Sequence, residues 1–102
     1  MYAGVVHYKF REGDIDVGLK RWKETVLSQT QKQKGFRGVL LFVNREESKA
    51  FDIGFWETEE DAVHYEECGL FQLLIQDLGD VLAETPKRDK YTLEKIDGIQ
   101  IL

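Results

Sequence analysis

The stretch FDIGFWETEEDAVHYEE, residues 51–67, decides the fold because a strand pattern in it runs straight into a helix pattern. Its first six residues alternate between two faces of a strand, with Phe51, Ile53 and Phe55 on one face and Asp52, Gly54 and Trp56 on the other. Thr58 then offers a hydroxyl to the free amides of a helix start, and acidic residues 59–61 favour the positive end of the helix dipole. The stretch therefore predicts a strand that ends at a tryptophan and leads into a capped helix.

The same two patterns extend over the rest of the chain and give one element order. A first helix is predicted by apolar residues at helical spacing, with Asp14 as a possible cap and Gly35 at its end: Ile15, Leu19, Trp22 and Val26. The other predicted elements are strands at residues 3–10, 36–46, 50–57 and 87–96, and a second helix from residue 58 that breaks near Cys68 and Gly69. The order β-α-β-β-α-β predicts a ferredoxin-like α+β fold, with an antiparallel four-stranded sheet and two helices on one face. We expect one domain over residues 1–102.

Both faces of the predicted strands are apolar, whereas the helices cover only one face. Residues 36–46, FRGVLLFVNRE, have a near-continuous apolar centre that indicates burial on both faces. A second copy of the chain, related by a two-fold axis, is the simplest cover for the bare face. We therefore expect a homodimer through sheet faces, with the tail residues Ile99, Ile101 and Leu102 reaching the partner's edge strand.

Composition and charge argue against several classes of partner. The 102 residues are 42% hydrophobic and 32% charged, which is typical of a globular domain. With 14 Lys and Arg against 19 Asp and Glu, the net charge is −5, so neither nucleic acid nor an anionic membrane surface is expected as a partner. No apolar run has transmembrane length and the first residues lack signal-peptide features, so we expect a cytoplasmic location.

Sequence motifs for cofactors and metals are missing. The chain has no Gly-rich phosphate loop, no CxxC pair and no His/Cys spacing typical of zinc. Its single cysteine, Cys68, is predicted to be a small buried hydrophobe. We expect neither a metal nor a cofactor.

Four segments of the chain are familiar in this order. They are VVHYKF in the first strand, KGFRGVLLF after the first helix, GFWETEEDAVHYEE, and LFQLLIQDLGDVL in the second helix. The most specific part is a W-E-[ST]-x-E-x-A passage, residues 56–62. Together they resemble the antibiotic biosynthesis monooxygenase-like family of the dimeric α+β barrel superfamily, over nearly the whole chain. This resemblance implies a dimeric barrel and a range of roles that includes cofactor-free quinone-forming monooxygenases and haem-degrading enzymes.

Six residues are candidates for a functional site between the sheet and the helices. They are the candidate catalytic residues His7 and Asp52 and the candidate substrate-binding residues Trp56, Tyr8, Tyr65 and Trp22. An imidazole titrates near neutral pH and could take a phenolic proton, and Asp52 shares a strand face with Trp56. A tryptophan ring can stack on a planar aromatic ligand. Each candidate also has an ordinary structural role, as a core aromatic or a satisfied polar residue, and that alternative stays open.

Three functions remain at this point. The first is a cofactor-independent monooxygenase that binds a small aromatic or quinol-type molecule between sheet and helices. The second is a non-enzymatic, stress-related or ligand-binding dimer. The segment VVHYKF resembles the first strand of stress-responsive α/β-barrel relatives, which often carries a histidine. The third is haem binding or degradation, although the family's haem degraders carry a histidine after a residue like Phe71, where this chain reads LFQLLIQDL. A cavity lined by the candidate residues distinguishes the first function from the second.

Overall fold

The computed structural model describes residues 1–99 and confirms the predicted order of elements. The elements are β1 (Tyr2–Lys9), α1 (Ile15–Arg21), a π-helical segment (Trp22–Leu27), α2 (Ser28–Thr30), β2 (Phe36–Asn44), β3 (Lys49–Trp56), α3 (Glu59–Glu67), α4 (Leu70–Leu78), a 3-10 turn (Gly79–Val81) and β4 (Lys87–Thr92). The strands form one sheet in the order β2-β3-β1-β4, and every neighbouring pair is antiparallel. This is the ferredoxin-like arrangement that the sequence predicts.

The helix boundaries follow local chemistry, with two differences from the prediction. Thr58 caps α3 as expected, because its hydroxyl accepts a hydrogen bond from the Asp61 amide at 3.1 Å. Gly69 separates α3 from α4 in a left-handed conformation with φ of 92°, which confirms the predicted break. Asp14 occupies the cap position of α1, but its side chain makes no capping bond. The first helical run ends at Thr30, and turns rather than helix lead to Gly35.

The core lies between the helices and one face of the sheet. The four apolar positions of the first helix are all buried there, which confirms the helical spacing: Ile15, Leu19, Trp22 and Val26. The sheet contributes Tyr2, Tyr8, Ala50 and Trp56 to the same core. None of the helices in residues 1–99 is long and apolar enough to cross a lipid bilayer.

The opposite face of the sheet, here called the outer face, is apolar and uncovered. It carries Val5 from β1, Leu40 and Phe42 from β2, and Phe51, Ile53 and Phe55 from β3. The rings of Phe42 and Phe51 stack with 4.9 Å between centroids, and Phe42 is 47% exposed. An apolar face of this kind is typical of an interaction surface.

Three sequence predictions need correction or fall outside the described residues. No residue of β2 is buried, because β2 is an edge strand with one face toward the helices and the other on the outer face. Cys68 is exposed rather than buried, since it follows α3 at the turn before Gly69. Ile99 is 59% exposed, and Ile101 and Leu102 lie outside the described residues.

Candidate functional site

A cavity lies between the helices and the covered face of the sheet. Its floor includes Gly4 of β1 and Gly54 of β3, which face each other directly across the two central strands. Glycine inside a strand often marks a place where another group approaches the backbone closely. A side chain added at Gly4 would meet no atom within 4 Å, so the glycine leaves open space. The cavity volume is about 50 Å³, which is room for water rather than for a larger molecule.

The most unusual residue of the cavity is the buried carboxylate Asp52. It is 6% exposed, and it is the only buried charged residue among residues 1–99. The Tyr8 hydroxyl donates to Asp52 Oδ2 at 2.9 Å, and the Trp22 indole Nε1–H reaches the same oxygen at 3.2 Å. Trp22 Nε1 also lies 3.2 Å from the Tyr8 hydroxyl oxygen. The strand alternation in β1 and β3, the pairing of these two strands and the helical stripe of the first helix bring these three residues together.

Burial controls the acidity of this cluster. Desolvation raises the pKa of Asp52 from 3.8 to about 6, and the hydrogen bonds from Tyr8 and Trp22 offset only part of that rise. Desolvation also raises the pKa of Tyr8 well above 10, and the neighbouring carboxylate adds to the effect. Asp52 can therefore exchange a proton near neutral pH while Tyr8 stays a donor, which is the property of a general base held by a fixed hydroxyl.

Replacing Asp52 by Asn is expected to stabilise the protein at neutral pH. Because folding raises the pKa of Asp52, the folded state holds a proton that the unfolded chain has already released between about pH 4 and 6, and stability falls as pH rises through this window. Above pH 6 the buried charge costs about 3 kcal/mol. Urea unfolding at pH 7.5 should show a gain of up to that size, which shrinks toward pH 4.

The control for this stability measurement is Asp77→Asn, which changes the same chemical group at an exposed position on α4. It should leave the free energy of unfolding nearly unchanged at both pH values. An Asp52→Asn protein that is equally stable or less stable than wild type at pH 7.5 would contradict the account of Asp52 as a costly buried charge.

Aromatic rings form one wall of the cavity. The centroids of Trp56 and Tyr65 lie 5.1 Å apart, and Phe36 meets Trp56 edge-on at 5.4 Å. The Tyr65 hydroxyl is 2.9 Å from Thr30 Oγ1, and burial raises the pKa of Tyr65 to about 12. Trp56 and Tyr65 are thus both packed core residues and cavity residues, so the structural role and the predicted lining position coexist.

Two charged side chains besides Asp52 line the cavity, and the exposed Arg88 marks its mouth. Arg88 of β4 places its guanidinium 4.7 Å from the ring centroid of Phe71, in a cation–π geometry, and it lines the cavity. Glu66 of α3 also lines the cavity, and its Oε2 forms an ion pair with Lys90 Nζ at 2.9 Å. Within residues 1–99 Arg88 makes no ion pair, so its guanidinium is available to an oxygen anion at the mouth.

His7, the other candidate catalytic residue, is not near Asp52. It points to the outer face, where its ring lies 5.8 Å from that of Phe51 and its Nε2 is 3.5 Å from Asp89. His7 follows Val6, whose partner in β3 is Asp52, so the two candidates lie on opposite faces of the sheet. His64 is exposed on α3. In the described part of the chain no group of His, Cys, Asp and Glu side chains could hold a metal ion.

The sequence prediction missed several cavity residues. They are Gly4, Gly54, Thr30, Phe36, Glu66 and Arg88. The two glycines had a usable signal, since glycine is unfavourable inside a strand without a packing reason. The place of Arg88 on the covered face can be predicted from alternation along β4 only once the register of β4 with β1 is known. Phe36 lines the cavity next to a bulge between Phe36 and Gly38, and Gly38 is a third strand glycine that could have signalled this bulge.

Comparison with known proteins supports the fold. No protein-family model matches the sequence, and a search of curated proteins finds no match either. The structure is similar to a monooxygenase from the gene ActVA-Orf6 of Streptomyces coelicolor in complex with Nanaomycin D, with a TM-score of 0.79 and 14% identity over 97% of this chain and 92% of that one. It is also similar to SnoaB, a cofactor-independent oxygenase from Streptomyces nogalater, with a TM-score of 0.76 and 14% identity over 93% and 94%.

A third similar structure is described as an antibiotic biosynthesis monooxygenase, with a TM-score of 0.73 and 14% identity over 93% of this chain and all of that one. These comparisons confirm, at the level of fold, the resemblance carried by the W-E-[ST]-x-E-x-A passage. The chain therefore has the fold of the antibiotic biosynthesis monooxygenase-like proteins. Since one fold hosts many activities, the function has to be argued from the cavity itself.

Proposed function

We propose that this protein binds a small planar aromatic molecule between its sheet and helices and oxidises it with dioxygen, as a cofactor-independent monooxygenase. The observation that carries the proposal is Asp52, a carboxylate buried beside a cavity with aromatic walls and held by hydrogen bonds from Tyr8 and Trp22. A buried anion lowers stability, so its presence at a cavity favours a functional role. The similar folds of two monooxygenases are in accord with this activity.

The chemistry requires an acidic C–H or O–H group on the ligand. An anthrone is a suitable class, because loss of a ring CH₂ proton gives an aromatic enolate that reacts with dioxygen. Asp52 accepts this proton, a C–O bond forms between the enolate carbon and O₂, and Asp52 returns the proton to the terminal oxygen to give a hydroperoxide. Asp52 then takes the second ring C–H proton, the C–H electron pair forms the C=O bond as the O–O bond breaks, and the departing hydroxide takes this proton and leaves as water. The ring CH₂ becomes C=O, one oxygen atom of O₂ enters the product and the other leaves as water, so no external reductant is needed.

Residues around the cavity have matching roles in this proposal. The ring of Trp56 stacks on the flat ligand, and the glycine floor at Gly4 and Gly54 lets the ligand approach the sheet. Arg88 binds an anionic oxygen at the mouth. Ligand pockets usually have volumes of about 300–1,000 Å³, so the cavity must widen on binding. The lining side chains best able to move are those that are not buried, such as Leu27, Phe36 and Arg88.

The small cavity also favours a second candidate function. With a volume of about 50 Å³ and Trp22 and Trp56 both packed inside, the subunit interior is well filled. A non-enzymatic ligand-binding or stress-related dimer needs only partial opening of such a cavity. Binding of an aromatic probe without any oxygen uptake would identify this second function. A haem in the same cavity would lack a histidine ligand, because His7 and His64 do not line it.

We also propose that two copies pair through the outer face. The support is an uncovered apolar surface over the central strands together with the dimeric barrel that the family resemblance implies. Pairing buries the stacked rings of Phe42 and Phe51 and leaves the cavity of each subunit on the opposite side of its sheet.

The Gly4→Val variant tests the proposed cavity. Its side chain is built into open space on the covered face, so the fold should tolerate it, and a β-branched residue suits a strand. The probe is 1,8-dihydroxyanthrone in air-saturated buffer, followed by oxygen uptake and by the absorbance of 1,8-dihydroxyanthraquinone. Wild type should exceed the rate without protein, and Gly4→Val should reduce binding and turnover about 10- to 100-fold.

The graded control is Gly4→Ala, which adds one methyl group and should have a smaller effect. Thermal unfolding of both variants verifies that the fold is kept. Equal turnover by Gly4→Val and wild type would show that the chemistry takes place elsewhere. A wild-type rate equal to the background would refute the monooxygenase activity for this class of ligand.

A further inference from the structure

The two oxygen atoms of Asp52 are in different environments. Both side-chain donors, the Tyr8 hydroxyl and the Trp22 indole, bond to Oδ2. Within residues 1–99 no donor bonds to Oδ1. Every fully buried side-chain nitrogen or oxygen atom in that part of the chain has a hydrogen-bond partner, so Oδ1 is not fully enclosed. Since Asp52 lines the cavity, Oδ1 is the oxygen that reaches its open space.

Trp22 lies at an irregular point of the helix layer. Trp22 is the first residue of the six-residue π-helical segment, which lies between α1 and α2. Such wide turns inside α-helices are rare and frequently occur at functional sites. Trp22 is 4% exposed, and its Nε1–H crosses from the helix layer to the carboxylate on β3, a contact between residues 30 positions apart.

We propose that Trp22 and Tyr8 are positioning residues: they hold Asp52 by Oδ2 so that Oδ1 alone faces the ligand as the base. This inference rests on the proposed function, and it assigns each oxygen of the carboxylate a separate task. Two donors on one oxygen fix the rotation of the carboxylate and favour its charged form. The free oxygen then has the lone pair that accepts the proton from the ligand.

The other charged and titratable groups that face the cavity are few. Tyr8 comes from β1, Tyr65 and Glu66 from α3, and Arg88 from β4. Tyr65 is hydrogen-bonded to Thr30, and Glu66 is paired with Lys90. The first helix faces the carboxylate with Trp22, which does not titrate. A change at Trp22 or Tyr8 therefore acts on Asp52 through the lost hydrogen bond.

The test is a carbon-13 NMR titration of the Asp52 carboxyl in the ligand-free protein, compared with Trp22→Phe and Tyr8→Phe. Each variant removes one donor and keeps an aromatic ring. The titration midpoint of Asp52 should rise by about one pH unit in each, a tenfold change in its ionisation constant. The matched control is Trp56→Phe, another buried tryptophan of the cavity, whose indole does not bond to Asp52. It should leave the midpoint in place.

Turnover of 1,8-dihydroxyanthrone then separates this inference from the proposed function. In wild type the rate should rise with pH through the Asp52 midpoint, and in Trp22→Phe the whole profile should move up by the same unit. Unchanged midpoints in both donor variants, or in the one that folds, overturn the positioning role whatever the turnover. If the midpoints shift in the donor variants but the wild type shows no turnover, the role of Asp52 as a base is refuted, whereas its hydrogen bonds to Tyr8 and Trp22 are established. A shift in Trp56→Phe as large as in Trp22→Phe would also overturn the proposal, because any lost packing would then suffice.

Discussion

Asp52→Asn is expected to lower the turnover of 1,8-dihydroxyanthrone by about 10²- to 10⁴-fold, the usual contribution of a general base. The amide has nearly the shape of the carboxylate and can still accept hydrogen bonds from Tyr8 and Trp22 on its oxygen. It cannot take a proton from the ligand. Binding, measured by quenching of tryptophan fluorescence, should therefore change much less than the maximal rate.

His7→Ala provides the comparison for Asp52→Asn, because the sequence proposed both residues as bases. His7 is on the outer face beside Asp89, so its removal should leave the maximal rate within about twofold of wild type. Full activity in Asp52→Asn together with loss of activity in His7→Ala would reverse the assignment and move the site to the outer face. Loss in both would indicate that activity also needs the proposed pairing through the outer face, which would cover His7.

Ile53→Glu is expected to convert a dimer into a monomer. Ile53 lies on β3 in the middle of the outer face. Its neighbours across the sheet are Val5 of β1 and Leu40 of β2. In a dimer through this face, each subunit would bury an unpaired carboxylate, which costs several kcal/mol and raises the dissociation constant by about 10³-fold or more. Sedimentation at micromolar concentration should give the dimer mass for wild type and 11.9 kDa for the variant.

The control for the dimer experiment is Leu73→Glu. Leu73 is 59% exposed on α4, on the helix side of the molecule, so the same charge should leave the dimer intact. Wild type that sediments as a monomer, or Ile53→Glu that remains a dimer, would contradict pairing through the outer face.

Local patterns predicted most of the fold but could not decide which sheet face becomes the core. In β3 the alternation is clear, and Phe51, Ile53 and Phe55 are the more apolar set. The structure nevertheless turns this set outward and packs the helices on the face with Asp52 and Trp56. The reason is that the helix layer decides which face is buried. Trp22 and Tyr65 from the helices pack with the covered face, and the strand pattern alone contains no information about these contacts.

The candidate site was predictable in part for a related reason. Asp52, Trp56, Tyr8, Tyr65 and Trp22 all line one cavity, so the residue types and faces were informative. His7 and Tyr8, however, are adjacent in a strand and cannot both face the same cavity, which strand alternation already implies. The hydrogen bond from Trp22 to Asp52 was beyond prediction, because it depends on packing between parts of the chain that are 30 positions apart.

The central claim is that the cavity at Asp52 holds the ligand, and a crystal structure of the complex with 1,8-dihydroxyanthraquinone tests it most directly. This compound is the oxidised product, so it does not react further. We expect its rings to lie against Trp56, above the glycine floor, with an oxygen atom about 3 Å from Asp52 Oδ1. The compound bound on the outer face beside His7, or in the cavity with no oxygen near Asp52, would contradict the account.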